Sequence, residues 1–352
     1  MLPSGFGKAS FISATSPFVD HAVATSGTIV SFYQWTLTAG NLVAAIINNA
    51  TKGIPSHASW RIPISIPLIY AFILAVGIIL LPESPRWLVK RERNEDAARA
   101  LSRLISLPPD HPELRAELEE IRLSFQQEQE WSTSSYLDCF RSNQDKVRLR
   151  TWTAIFAPMS AAFTGINFIS FFGIVFFASS GVRNPFIITI AIGTILTGMT
   201  IFGLWGIEKF GRRSLILGGA VGMTLCQFLV AIIGVTISTS NAVGKKVLVS
   251  FLCIFIAFFG CAWAPVCWVL PGEITPLNIR AKVMSIAMAS GWFWQFVVGY
   301  ITPYLVNKGP GSAGLGVKVF FIWGSTCVGC LLYAYFCVPE VSPGFSHSWR
   351  FF

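Results

Sequence analysis

Apolar residues run along this chain in long unbroken blocks rather than in alternating or seven-residue patterns. Eight windows contain no Asp, Glu, Lys or Arg: 21–51, 62–82, 151–182, 184–207, 214–244, 247–272, 283–307 and 319–339. A helix needs roughly 20 mainly apolar residues to cross the hydrocarbon of a bilayer, and each window can supply one. The pattern predicts an all-α polytopic membrane protein with about eight transmembrane helices. Two spans, near 28–48 and 62–81, precede a polar stretch, and six follow it, from 152–178 to 319–338. The polar stretch has its own periodicity, which predicts helices over 94–105 and 112–130. In the second, Pro112 suits the first turn, and Leu114, Leu118, Ile121 and Phe125 share one face. That stripe is expected to pack on the neighbouring helix or on the membrane-embedded part.

Composition narrows the class. Only 12% of the 352 residues are charged and 53% are hydrophobic, against about 25% charged in a soluble domain. A disordered chain, a disulfide-rich secreted module and an ordinary soluble enzyme are excluded. The net charge of +9 does not point to nucleic acid, because the long polar stretch 83–150 is nearly neutral, with 12 Lys/Arg and 13 Asp/Glu. The excess sits in short loops at span ends, where it carries topology. The first segment, the polar stretch, the loops near 208–213 and 273–282 and the C-terminal tail together hold 19 of the 26 Lys/Arg. The opposite side holds seven: Lys52, Arg61, Arg183, Lys245, Lys246, Lys308 and Lys318. The richer side is expected to be cytoplasmic, and an even number of spans puts both termini there.

Seven of the eight cysteines lie in apolar windows, and Cys327-x-x-Cys330 has no second ligand pair, so a packing role is expected for them. The sequon at Asn49-Ala50-Thr51 lies too near the membrane to be a good glycosylation acceptor. The four histidines, His21, His57, His111 and His347, are scattered. With no nucleophile–base or metal-ligand grouping, no enzyme, no catalytic residue, no metal and no cofactor is expected.

Chemistry-bearing residues cluster at span ends. Glu83 and Arg86 are one turn apart after the second span, Glu208, Arg212 and Arg213 flank Gly211, and Glu273 and Arg280 bracket a short loop. Charges at such depth are costly unless paired, so an ion network between helices is the economical arrangement. Pairs that close one face and later separate would form a latch. Fixing topology is the simpler role, and for Arg86, Arg213, Lys209 and Lys282 it is as good an account. Many spans are interrupted by Gly or Pro, among them Pro158, Gly165, Pro265, Pro271, Gly291 and Pro303. Close helix packing explains some of these, and the bent helices of transporters the rest.

Several strings go further: Pro82-Glu83-Ser84-Pro85-Arg86-Trp87-Leu88, Gly165-Ile166-Asn167, Glu208-Lys209-Phe210-Gly211-Arg212-Arg213, Ala264-Pro265-Val266-Cys267-Trp268 followed by Glu273, and Arg280-Ala281-Lys282. In this order and spacing they resemble the sugar porter branch of the major facilitator superfamily, particularly its fungal members, from about Gly27 to Glu340. The resemblance implies a major-facilitator bundle. On that frame residues 1–27 are an atypical N-terminal segment, 28–81 a two-span remnant of the N-terminal half, and 82–151 a cytoplasmic helical loop. Residues 152–338 are then the six-helix C-terminal half and 339–352 the tail. The chain accordingly looks N-terminally truncated, with both termini replaced: Met1–Ser26 lacks the family's pattern, and Pro339-Glu340 continues as Val341-Ser342.

The family's sugar-contacting positions fall on Gln34, Asn41, Asn167, Trp268 and Trp292. Amides suit sugar hydroxyls, and indoles suit the apolar ring face. The family's paired glutamines before Gly165 are Ala161 and Ala162 here, its tyrosines after the motif are Phe171 and Phe172, and Gly291 stands at a usually polar position. These departures imply a poorer fit to a hexose or a less polar substrate. The implied partners are a sugar or similar polyol, membrane lipid and, in a full-length form, a coupled proton, with no nucleic acid. The implied activity is transport by alternating access at the plasma membrane. The alternative is a non-transporting truncated chain acting as a sensor or as an interaction partner of full-length porters.

Overall fold

The computed structural model describes residues 19–108, 111–131, 135–141, 146–179, 185–236, 242–276, 279–307, 309 and 311–339. Among the described residues the regular structure is helical. The chain order is α1 (Val19–Thr51), α2 (Ala58–Leu80), α3 (Pro85–Lys90), α4 (Asn94–Ile105) and α5 (Pro112–Trp131). A short 3-10 turn at Tyr136–Phe140 leads to α6 (Val147–Phe163), α7 (Ile166–Ser179), α8 (Pro185–Phe210) and α9 (Arg212–Thr236). Then come α10 (Ala242–Phe258), a π-helical turn (Phe259–Trp263), α11 (Ala264–Ile274), α12 (Arg280–Val306) and α13 (Val319–Cys337). The eight uncharged windows fall on eight helical passes. Five helical stretches are long and apolar enough by themselves to cross a membrane: Ala58–Leu80, Phe186–Ile207, Arg212–Thr236, Lys246–Ile274 and Gly316–Cys337.

The third window is not one straight helix. It breaks at Thr164-Gly165, where Gly165 takes φ +84°, a left-handed conformation that glycine adopts without steric penalty. A Cβ there would also lie 2.7 Å from Trp323 Cγ, so two constraints select glycine. The sixth pass departs from α-geometry as well, at the π turn that precedes Pro265. Proline has no N–H to give to the preceding turn, and a local widening of the helix is one way to absorb that.

The chain divides into two compact units, one of residues 1–50, 139–276 and 280–352, the other of residues 51–138 and 277–279. In the second unit, α4 packs on α3 and α5. Leu114, Leu118 and Ile121 are buried, with Leu88, Ala97, Ala100 and Leu101 on the facing helices. Phe125, the last of the stripe, is half-buried. Arg93–Asp96 (2.8 Å) and Arg122–Glu119 (3.2 Å) are exposed pairs on these helices, worth little individually. α2, by contrast, has no buried residue, and its Leu68, Phe72, Ile79 and Leu80 are all exposed, as in a helix presenting apolar surface to lipid.

In the first unit α6 packs on α12 and α11, and α9 packs on α13 and α10. Its centre holds Phe168, Met223, Phe255, Trp263, Leu270 and Phe320, all nearly inaccessible. Gly291 on α12 meets Pro158 on α6 so closely that a Cβ would come within 2.9 Å of the proline Cβ. The position read from sequence as a lost polar contact is therefore a packing contact in this chain.

Candidate substrate site and ion network

The break between α6 and α7 leaves the last carbonyls of α6 without helical partners. Side chains from two other helices supply them. Gln227 Nε2 on α9 donates to the Thr164 carbonyl at 3.0 Å, and from α13 Thr326 Oγ1 donates to Phe163 O at 2.6 Å. The thiols of Cys327 and Cys330 reach Thr164 O (3.6 Å) and Ser160 O (3.5 Å), and Tyr333 donates to Thr153 O at 2.7 Å. The Cys-x-x-Cys pair is thus a set of weak donors stitching α13 to α6, with both cysteines unbridged.

Asn167 lies on the first turn of α7, 7% exposed, and its Nδ2 has no hydrogen-bond partner among the described residues. A buried unpaired donor costs about 1–3 kcal/mol, so a ligand atom accepting from it has a gain to make. α7 packs on α12, which carries Trp292. That indole is half exposed at 54%, and its ring centroid is 6.4 Å from that of the buried Trp268 on α11, at 42°. The structure thus brings Trp268 and Trp292 together on neighbouring elements of the bundle that also contains Asn167. Ala161 and Ala162 are buried on α6, and Phe172 is half-buried. The side chain of Phe171 lies outside the described residues.

On α1, Gln34 is half-buried and Asn41 exposed. Thr38 between them is buried and donates to Trp35 O. A groove of about 540 Å³ at the start of α2, lined by Ser56, His57, Arg61 and Ser65, contains none of the expected residues.

The span-end charges are brought together in part. Arg212 and Glu273 form a two-point pair, Nε to Oε2 at 3.1 Å and Nη2 to Oε1 at 2.9 Å, with side chains only 8% and 19% exposed. Arg280 donates from Nε to Thr275 O at 3.4 Å and lies within electrostatic reach of Glu273. Arg213 turns away, donating to Tyr335 O at 3.0 Å. Lys209 sits 4.6 Å over the Trp205 ring. Glu83 is exposed and Arg86 half-buried; both belong to the other unit. The Glu208 side chain lies outside the described residues.

Gln227 was not among the residues that the motifs pick out. The signal was present: it is the one amide or charged residue between Ser214 and Thr236, and a polar side chain inside a span is a functional candidate by default.

The family described as "Sugar (and other) transporter" matches residues 11–343. The chain belongs to the sugar transporter family. The match begins before Gly27, where the motif-based resemblance starts, so part of the first segment also follows the family. Major facilitator-type transporter ecdD of Aspergillus rugulosus is 39% identical over 94% of this chain and 62% of its own length. Probable glucose transporter rco-3 of Neurospora crassa is 41% identical over 90% of this chain and 54% of its own. High glucose sensor RGT2 of Saccharomyces cerevisiae is 36% identical over 96% and 45%. This sugar transporter family chain therefore spans about half to three-fifths of the length of these relatives. Its fold matches the proton:xylose symporter XylE with a TM-score of 0.69 at 24% identity, covering 90% of this chain and 65% of the symporter. An inward-open, partially occluded XylE from E. coli gives 0.71 at 23% identity, covering 95% and 67%. The family and the fold make it an integral membrane protein built as a major-facilitator helical bundle.

Proposed function

We propose that this chain moves a sugar or similar polyol across a membrane by alternating access. The observation that carries the reading is Asn167: a buried amide donor, unpartnered among the described residues, at a position where the family contacts sugar. A substrate hydroxyl would satisfy it. Trp268 and Trp292 would then offer an apolar face to the sugar ring, and Gln34 and Asn41 would contribute amides from α1. The Arg212–Glu273–Arg280 cluster would act as the latch of one state, together with Glu208, Arg213, Glu83 and Arg86 where they come into reach. Two names among its relatives, a glucose transporter and a xylose–proton symporter, support a sugar as substrate. A coupled proton belongs to this reading only in a full-length form, since outside 83–150 the acids are Asp20, Glu208, Glu273 and Glu340, all at span edges.

The test is uptake of radiolabelled D-glucose and D-xylose in yeast lacking its own hexose carriers and expressing this chain. Saturable uptake that unlabelled sugar competes away supports transport. Sugar binding without uptake would favour a sensing role, and neither binding nor uptake would overturn the sugar reading. We place the protein in the plasma membrane, as the sugar porter resemblance implies, with both termini cytoplasmic on the strength of the Lys/Arg asymmetry. Tags at each end that become accessible to antibody only after permeabilisation would agree with that placement.

A further inference from the structure

We propose that Gln227 is a positioning residue for Asn167. This rests on the sugar reading above for its functional consequence but not for its structural content. Asn167 stands three residues after Thr164, on the far side of the only point in α6–α7 where the backbone takes a positive φ, at Gly165. A glycine hinge between two helices does not by itself set their mutual angle. Something must hold the start of α7, and the Thr164 carbonyl itself is held from outside both helices: Gln227 Nε2 donates to it at 3.0 Å. The other contact to the same carbonyl, Cys327 Sγ at 3.6 Å, is a weak thiol donor.

Gln227 is itself 1% exposed, and its Oε1 has no hydrogen-bond partner among the described residues. A methionine of similar length would fill the same apolar surroundings without burying an unpaired acceptor, so packing alone does not account for an amide here. The amide is placed where a donor is required. It also abuts the hinge directly: a Cβ on Gly165 would lie 3.2 Å from Gln227 Nε2. α9 thereby braces the break, and through it the orientation of the first turn of α7, which presents Asn167. The side chain acts through the backbone and need not touch the sugar.

The experiment uses the full 352-residue chain purified in detergent, with Gln227→Met, Asn167→Ala and the double variant. Amide hydrogen exchange of the peptide covering 164–170 is followed by mass spectrometry, and D-glucose affinity by tryptophan fluorescence. The expected result for Gln227→Met is exchange several-fold faster in 164–170, with α6 and α9 unchanged. D-glucose affinity should weaken about tenfold, and by less than twofold when Asn167 is already alanine, since the brace acts through that residue. Unchanged exchange at 164–170 overturns the proposal whatever the sugar result. Equal weakening in both backgrounds overturns it too, because a merely structural role predicts additivity. If the parent chain binds no D-glucose, the sugar reading fails and the exchange contrast alone decides the brace. Should Gln227→Met fail to fold, Gln227→Asn, which shortens the reach by one methylene, supplies the same contrast.

Discussion

Arg212 and Glu273, 61 residues apart in sequence, meet through two parallel hydrogen bonds of 3.1 and 2.9 Å. Arg212 opens α9 directly after Gly211, whose φ of +80° turns the chain sharply between α8 and α9. Glu273 sits at the end of α11. The guanidinium fork matches the carboxylate plane, an arrangement a lysine point charge does not reproduce.

Arg212→Ala should lower stability by about 3–5 kcal/mol, because it strands a poorly exposed carboxylate. Arg212→Lys should cost less, about 1–2 kcal/mol, by removing the second hydrogen bond. The double variant Arg212→Ala with Glu273→Ala should recover part of the loss. Thermal unfolding of the parent, these three variants and Glu273→Ala in one detergent checks this. Additive losses would show that the two residues are not coupled.

Gly165→Ala should be among the most damaging single-methyl additions in the chain. The left-handed φ of +84° is strained for alanine by about 1 kcal/mol. The added Cβ meets Trp323 Cγ at 2.7 Å, where overpacking adds about 1–3 kcal/mol. Gly329, beside which a Cβ meets nothing within 4 Å, is the control, and Gly329→Ala should leave the melting temperature nearly unchanged.

Trp268→Ala should abolish D-glucose uptake in any form of the protein that transports. Trp292→Ala should weaken it about two- to tenfold, in keeping with one stacking contact of about 0.5–1.5 kcal/mol. Initial-rate uptake at several sugar concentrations measures both. Undiminished uptake by Trp268→Ala would remove that residue from the site.

Glu117 gives a pH-dependent prediction. On α5 its carboxyl is pushed above the ordinary value of 4.5, first by burial and then by the neighbouring Glu120 charge. Its Oε1 is buried without a partner among the described residues. Folding raises this pKa, so the folded chain holds the proton more tightly. The penalty is absent below pH 4.5 and is fully present once pH exceeds the raised value. Glu117→Gln should therefore stabilise by a few tenths of a kcal/mol at neutral pH, a small gain because the group is partly solvated. The difference should vanish in acid, and melting curves at pH 4 and pH 7.5 would show it.

The sugar transporter family and the eight helical passes were legible in the sequence. Charge-free blocks of more than 20 residues have one physical destination, and the stripe Leu114, Leu118 and Ile121 had one face to bury. Motif order likewise pointed to the span-end charges. Which of those charges meet was not legible: Arg212 found Glu273, while its neighbour Arg213 turned to the Tyr335 carbonyl.

Sequence by itself determined where the chain leaves water, since transfer into hydrocarbon depends only on the residues transferred. It determined the order of the apolar helical stretches for the same reason. Tertiary structure alone decided which side of each pass faces protein. In a span that is apolar all round, no periodicity separates a lipid-facing from a bundle-facing side chain. The break at Thr164 is the clearest case. Its orphaned carbonyls are satisfied by Gln227, Thr326 and Cys327, which come from two helices distant in sequence and reach the break only because α9 and α13 pack together beside it.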